Sequence, residues 1–557
     1  MTFNKHKTIL LTALILLSAA GFFWARSYVF SNMGLNINKK LQSLKLSGFN
    51  VRYDSLSINW LGNVVEIDHL LLEKNAYDTA CIYPEFISVG KVRAEGFRLF
   101  PLVFRNILSF EHIDLLESHV VMRQNSLLKL DSASQRENEF TLWADEVFIK
   151  SADFEYTDSL QCKMITGIKG DLTIEGLKMD SHIDKPFHYT ADLLTMNSAQ
   201  VKLPGELYTF QIKQAKADLL NKVFQADSIQ IIPDLGKLEF GRTVGFEIDR
   251  FECIIPFVKV NDFSFTFPDY TLLKARFAEV QFYLKVFRDK RLPFKKKTKV
   301  LPIAQLQSLP FGLLIDSLKI TKSYVQYEEF AEGAPDPGGI YFDDLYAVIS
   351  NINNKSQQGN MLLEAKAALM GQGKINLSAA FPWMKSKRAT MSGSLRDFSI
   401  PKINSMLTPV TNLKVESGEM KMLSFEFSFN AVRSDGEIEL NYEDLKLVTF
   451  KEEDKQKHDA LEKDNFKSFI MNTFIFRKNM DESVPEEKRT GTVMFFRDDS
   501  RSIFNFFVKS VVSGVKSAYN LDKTEAKKIE REDKKEERSS RREARKLKKS
   551  EKKKERS

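Results

Sequence analysis

Seven histidines (His6, His69, His112, His119, His182, His188 and His458) and three cysteines (Cys81, Cys162 and Cys253) are the side chains of this 557-residue chain best suited to metal or nucleophilic chemistry. Zinc chemistry needs such residues in groups: HExxH on one helix face, or paired cysteines at CxxC spacing. Neither pattern occurs, and no cysteine lies beside a histidine. His112 and His119 stand seven apart in a strand-like stretch, where odd spacing puts them on opposite faces unless a bend intervenes. A serine nucleophile calls for GxSxG and a nucleotide for GxxxxGK[ST]; both are missing. Gly371-Gln372-Gly373 comes nearest to a phosphate loop, but Lys374-Ile375-Asn376-Leu377-Ser378 alternates like a strand, so the glycines read as a hairpin turn. Asp343-Asp344 and Asp498-Asp499 are adjacent, and adjacent strand residues face opposite ways, which does not make an acid/base pair. The reading is therefore not an enzyme, with no catalytic residue, metal or cofactor.

The elements that would position any site are strands. From residue 50 onward apolar residues recur with period two: Leu56, Ile58, Trp60; Phe263, Phe265, Phe267; Val280, Phe282, Leu284; Ile438, Leu440, Tyr442. That alternation marks strands with one apolar and one wet face. Helical periodicity between residues 50 and 490 is confined to residues 402–413 and the charged run 451–467. A hydrophobic share of 43% with 45 Phe excludes a mostly disordered chain. Three widely spaced cysteines exclude a disulfide scaffold. Of the formal charge of +8, residues 521–557 carry +7, with 17 basic and 10 acidic side chains, so the body is not a nucleic-acid coat.

A weak repeat runs through the strands. Ile113, Leu115, Ser118, Val120 and Met122 are spaced like Val147, Ile149, Ala152, Phe154 and Tyr156, and like Leu318, Ile320, Ser323, Val325 and Tyr327. Each copy reads as two short strands joined by a bend with a small residue at the corner, and such repetition favours a stacked, elongated body. About 450 residues of strand without a Pro/Ser linker suit a single curled sheet of about 30 strands whose apolar face forms a trough. A string of closed β-domains burying the same residues fits the pattern equally well.

Residues 9–25 form an apolar run behind Lys5, His6 and Lys7, with Trp24, Arg26 and Tyr28 at its far end. At 1.5 Å per residue the run rises about 25 Å, the lower limit for crossing a bilayer. A cleaved signal peptide competes, since Ser18, Ala19 and Ala20 suit a cleavage site. The continuation of the apolar run through Phe22, Phe23 and Trp24 favours a single-pass anchor over residues 1–30. Either reading exports the chain beyond Arg26.

Three stretches and the closing region carry a likeness to a known family: the anchor with the opening hairpin over 51–70, the strand, Pro101-Leu102 turn and strand over 92–115, the hairpin over 365–382 ending in Phe381-Pro382, and residues 491–520. In these, about a third of the chain, the sequence resembles the AsmA-like family of repeating-β-groove, bridge-like lipid-transfer proteins. Residues 190–300 carry no part of the likeness. The resemblance implies an inner-membrane protein whose body lies in the periplasm of a diderm bacterium. It further implies a β-groove for phospholipid and a part in lipid transport and outer membrane biogenesis within the cell envelope. Family members supply no catalytic residues to carry over.

The expected organisation is thus an all-β chain, an elongated curled antiparallel sheet over residues 31–500 between the anchor and a C-terminal amphipathic helix over 501–520, followed by a charged basic tail over 521–557. Groove lining is illustrated by Ile113, Leu115, Val120, Val147, Ile149, Phe154, Leu318, Ile320 and Val325. Phe504, Phe507, Val508, Val511 and Val515 form one apolar helical stripe, which suits either a membrane interface or a cap over the end of the β body. The tail's Arg541, Arg542, Arg545, Lys546, Lys548 and Lys549 suit anionic headgroups or plain solvation, while the basic cluster at 285–299 reads as a solvated loop. Expected partners are phospholipids, the inner membrane through the anchor, and the outer membrane or an envelope protein at the C-terminal end, with no nucleic acid. A periplasmic scaffold for outer-membrane protein assembly, built of closed β-domains, is the alternative; an exported glycan-binding or hydrolytic β-protein is a distant third.

Overall fold

The computed structural model describes residues 49–518 apart from 60–62, 75–83, 99, 102–104, 106, 124–140, 158–162, 183–184, 204, 266–271, 310, 385–386, 412 and 450–488. The anchor over residues 1–30, the charged run 451–467 and the tail over 521–557 lie outside the described residues. No helix among the described residues is long and apolar enough to cross a membrane. The described residues are all-β, with 22 strands rather than about 30, and two compact units. Unit 1 holds residues 1–236 and 252–280; unit 2 holds 237–251 and 281–557.

In unit 1 the strands β1 (Phe49–Arg52) and β2 (Ser55–Asn59) both pair with β3 (Val64–Lys74), which pairs with β4 (Pro84–Glu95), and β4 with β5 (Ile107–Arg123). The next strand, β6 (Thr141–Thr157), lies parallel to β5, which corrects the expectation of an antiparallel sheet throughout. A parallel pair needs a connection of a dozen or more residues, and 17 residues separate Arg123 from Thr141. Antiparallel pairing resumes with β7 (Lys163–His182), whose far edge takes β8 (Lys185–Thr190) and β9 (Leu193–Lys202) in succession. The unit continues through β10 (Tyr208–Asp218), β11 (Val223–Pro233), most of β12 (Asp249–Asn261), β13 (Ser264–Phe265) and the first half of β14 (Leu272–Asp289).

A line of β-bulges crosses this unit. His69 on β3 (φ 51°), Glu117 on β5 (φ 55°), Ser151 on β6 (φ 54°) and Ser228 on β11 (φ 53°) all adopt the left-handed conformation. The ladders skip a pair at these places, with unchanged register at His69, Glu117 and Ser228 and a one-residue shift between Ile149 and Ala152 on β6 and between Gly170 and Leu172 on β7. One extra residue at a bulge bends its strand and shifts the side-chain alternation by one. This is why apolar residues switch from odd to even numbers along β5: Ile113 and Leu115 precede Glu117, Val120 follows it. The crease also requires small residues. A Cβ on Gly170 would stand 2.2 Å from the Ser198 carbonyl oxygen. Pro256, in the middle of β12, lies opposite Ser228 in the register, the kind of irregular position where a strand tolerates proline.

Unit 2 begins with the helix α1 (Lys237–Val244) and continues through the second half of β14, the helix α2 (Pro302–Gln307), β15 (Gly312–Phe330), β16 (Gly338–Asn353), β17 (Asn360–Leu369), β18 (Gly373–Pro382) and β19 (Ala389–Ser399). A 3-10 turn (Ile400–Ile403) and the helix α3 (Asn404–Thr411) replace the single helix expected over 402–413, and β20 (Leu413–Phe429), β21 (Arg433–Thr449), β22 (Arg489–Phe496) and the helix α4 (Ile503–Ala518) complete it. Pairing from β15 to β22 is antiparallel between sequence neighbours. Gly373 opens β18 after the Gly371-Gln372 turn, as the alternation predicts. Left-handed residues recur here at Lys322 (φ 43°), Asp344 (φ 47°), Asp397 (φ 54°) and Asp444 (φ 50°), with register shifts beside Lys322, Asp344 and Asp444.

Left-handed geometry at a side-chain-bearing residue costs about 1–2 kcal/mol relative to glycine's freedom. Lys322→Gly should therefore stabilise unit 2 by up to about 1 kcal/mol, while Lys322→Val should destabilise it by about 1–2 kcal/mol. Hydrogen exchange across β15 and β16 reads both changes.

Candidate functional site: an apolar sheet face and its helical cap

The repeat read in the sequence has a direct structural counterpart. Strands β5 and β6 pair at a constant offset of 34 residues, so Ile113 stands beside Val147, Leu115 beside Ile149 and Val120 beside Phe154. Their left-handed residues, Glu117 and Ser151, are also 34 apart. The third copy, on β15, carries its left-handed residue at the equivalent Lys322.

These side chains belong to the apolar face of unit 1. Ile113 and Val147 are buried, and Leu115 and Ile149 are half-buried against the same cluster, which draws Val92 and Ala94 from β4, Phe110 from β5 and Ala144 from β6. All cluster members come from β3 to β7, apart from Phe97 just after β4. Beyond the bulge line Val120 and Phe154 are half-buried. In unit 2 Leu318 packs with Ile303 and Leu306 of α2 on the cluster around Trp383, and Ile320 and Val325 are half-buried. The nine residues thus fall on two units, and in unit 2 a helix shares the apolar face.

Open polar depressions follow the bulge line of unit 1. One of about 590 Å3 is lined by Glu117, Ser118, His119, Asp153, Lys169 and Asp171. Another of about 880 Å3 includes Asp54, His69, Gly90 and Glu117. The bend that intervenes between His112 and His119 removes the expected opposition of their faces. His112 contacts Asp114 (2.8 Å) and Glu146 (3.2 Å), while His119 stands 3.9 Å from Asp153. No group of three or more His, Cys, Asp or Glu among the described residues is placed to hold a metal. Burial pushes the Cys253 thiol up, away from the reactive thiolate.

The C-terminal stripe divides. Phe507, Val511 and Val515 pack on the cluster of Phe427, Phe429, Ile438, Leu440, Tyr442 and Val493, whereas Phe504 (44%) and Val508 (43%) are exposed. The centre of the buried helix face is Phe506, Ser510 and Gly514, which the apolar stripe alone misses. Two of those three are small. Ser510 Oγ lies 2.7 Å from Ser434 Oγ, and Gly514 meets Gly491 of β22 so closely that a Cβ on Gly491 would be 2.0 Å from the Gly514 oxygen. Small residues at i and i+4 beside Phe506 let the helix backbone come close to the sheet.

The basic cluster at 285–299 is not uniformly solvated, a correction to the sequence reading. Arg288 is buried, with Nε 2.6 Å from Asp249 Oδ1 and Nη1 3.3 Å from Glu247 Oε1. Arg501 reaches the same Glu247 oxygen at 3.3 Å. Burial opposes the Arg288 charge, but Asp249 and Glu247 outweigh it and hold the guanidinium above its ordinary pKa. Nearby, Tyr327 donates to Glu329 Oε2 at 2.9 Å, and burial together with that carboxylate drives the phenol far above its ordinary range. Lone charges in such a place invite functional readings, but here each is paired, and the network joins β14, β15 and the residues before α4. Arg541, Arg542, Arg545, Lys546, Lys548 and Lys549 lie outside the described residues. No protein-family model and no curated protein matches the chain.

Proposed function

We propose that the chain is a membrane-anchored periplasmic lipid-transfer protein that holds phospholipid acyl chains against the apolar face of its β-sheet. In this reading the N-terminal segment sits in the inner membrane of a diderm bacterium, and the body supports outer-membrane lipid homeostasis without catalysing a reaction. One observation carries it: the apolar face of unit 1 runs across successive strands on both sides of the bulge line, with Leu115, Val120, Ile149 and Phe154 only half-buried. Half-covered aliphatic and aromatic surface on a strand face suits hydrocarbon chains. The crease supports the reading because a row of bulges bends a sheet across its strands.

The alternative, a non-enzymatic scaffold for outer-membrane protein assembly, draws on the deep burial of Ile113 and Val147, 7% and 3% exposed, which closes part of the same face. Lipid extraction and mass spectrometry of the full-length protein, purified in mild detergent, separate the two. Transfer predicts co-purifying phospholipid, reduced about tenfold or more by Leu115→Lys with Ile149→Lys, with the far-ultraviolet circular dichroism unchanged. A folded wild type without lipid, or one whose lipid is indifferent to these charges, removes the transfer reading in favour of the scaffold.

A further inference from the structure

A surface in unit 2 is independent of the apolar face of unit 1. After β14 the chain runs through residues 290–300 and is strapped to the residues that lead into α4. Lys299 donates its backbone N–H to the Asp499 carbonyl at 2.7 Å, Thr298 Oγ1 lies 3.4 Å from Asp499 Oδ2, and the Arg497 guanidinium donates to the Lys299 carbonyl. The Arg501 guanidinium lies 4.0 Å from the centre of the Phe294 ring. These contacts tie residues 294–299 to residues 497–501, which lead directly into α4. Phe294 (41%) and Val300 (58%) are exposed in the strap, and Phe504 (44%) and Val508 (43%) in the first turns of α4, where one side of the Phe504 ring meets Tyr327 and Phe342. Exposed apolar residues scattered singly need no explanation, but four on two segments strapped to each other do. Among them stand Lys295, Lys296 and Lys297, all exposed.

Local acids cancel only part of this charge, since the exposed Asp498 and Asp499 bring two negative charges against Lys295, Lys296, Lys297 and Arg497. Ser500 and Arg501 hold the Asp498 carboxylate, Thr298 meets Asp499, and Glu247 and Asp249 are taken up by Arg288 and Arg501. Asp498 feels Lys296, and burial is offset at that carboxylate by Ser500 and Arg501. Lys295 holds its ammonium group 5.1 Å from the centre of the Phe246 ring while the residue stays exposed. Lysine is depleted from the cores of protein interfaces. Apolar tips interleaved with lysines instead match a bilayer surface, where the tips enter the acyl boundary and the ammonium groups meet headgroup phosphates.

We propose that residues 293–300 and the Phe504/Val508 edge of α4 form a docking surface for a membrane bearing anionic lipid. The α4 face holding Phe507, Val511 and Val515 stays on the sheet, so docking uses the exposed edge and needs no unfolding of the cap. The surface does not depend on whether unit 1 holds acyl chains, which lipid extraction reads separately.

Hydrogen exchange on the full-length protein, held in phosphatidylcholine nanodiscs and mixed with vesicles, tests it site by site. Vesicles containing phosphatidylglycerol should protect residues 290–300 and 503–509 together, and vesicles of phosphatidylcholine alone should not. A lysine near an anionic surface contributes about fivefold in binding, so Lys295→Gln, Lys296→Gln and Lys297→Gln combined should weaken the protection at this site at least tenfold. Val300→Ser with Val508→Ser should weaken it as well and leave thermal unfolding unchanged. Protection confined to residues 521–557, equal protection on neutral vesicles, or a lysine triple variant that binds like wild type would each overturn the proposal. Protection of 290–300 by an acidic protein but by neither vesicle would overturn it too.

Discussion

Replacing Gly491 with alanine should release helix α4 from the sheet, at a loss of about 3–5 kcal/mol. The new methyl group would stand 2.0 Å from the Gly514 carbonyl oxygen and 2.7 Å from the Ala518 nitrogen. Both are helix backbone, so no rotamer change relieves the overlap; the helix must shift or leave. As it leaves it exposes Phe506, 1% accessible when seated, with Phe427 and Ile438 beneath it. Gly514→Ala is the matched control. Its Cβ meets side chains rather than backbone, Ile438 Cγ2 at 2.8 Å, Val493 Cγ2 at 2.9 Å and Ile438 Cγ1 at 3.0 Å, which must shift by a few tenths of an ångström. Alanine also improves the helix by about 1 kcal/mol over glycine. Gly514→Ala should therefore change stability by no more than about 1–2 kcal/mol. Fast hydrogen exchange over 503–518 and early tryptic cleavage at Lys509 and Lys516 in Gly491→Ala, absent from Gly514→Ala, is the expected pattern. Equal protection of the helix in both variants would mean that the close approach is not what holds it.

Arg288→Met should destabilise unit 2 by about 3–5 kcal/mol, because it strands Glu247 and Asp249 as uncompensated charges in a buried place. The Glu247 side chain is 5% accessible and Asp249 18%. Arg501 and Lys299 remain near the two carboxylates, at 3.3 Å and 3.7 Å, and limit the loss. Removing all three charges together, as Arg288→Met with Glu247→Gln and Asp249→Asn, should recover at least half of it, since the cost lies in the unpaired charge more than in the missing contact. Thermal unfolding of the single and triple variants decides the matter. A triple variant no more stable than Arg288→Met would show that packing of the arginine stem, not charge compensation, is what the residue contributes.

Much of the architecture is legible because alternation is a local signal. The strand runs around Ile438, Leu440 and Tyr442 and the turn at Gly371-Gln372 can be read without knowing their partners. The repeat is legible for a less obvious reason: its i, i+2, i+5, i+7 spacing is the trace a bulge leaves when one extra residue inverts the alternation. The direction of pairing is not legible. Nothing in the residues of β5 and β6 distinguishes a parallel from an antiparallel neighbour, because either partner covers the same apolar face. Arg288 escapes a reading by composition because charge density alone cannot separate a solvated lysine run from an arginine whose acids come from a segment about 40 residues earlier. On α4 the hydrophobic stripe is read by size, and size points to Phe504 and Val508. The seat itself is made by Ser510 and Gly514, whose value is that they bring little side chain.

The constant spacing of β5 and β6 has a consequence for how such a sheet can change in length. Because the paired strands differ by 34 positions throughout, a tandem copy of one such segment would arrive with its own left-handed residue, its own small corner residue and the correct face turned inward. Each added copy would extend the array by about 4.8 Å without disturbing the register of the strands already present. An insertion of one residue within a strand, by contrast, would turn every later side chain of that strand to the wrong face. Growth by whole repeats is therefore the tolerated path, and the span of the body becomes a quantity that duplication can adjust in steps.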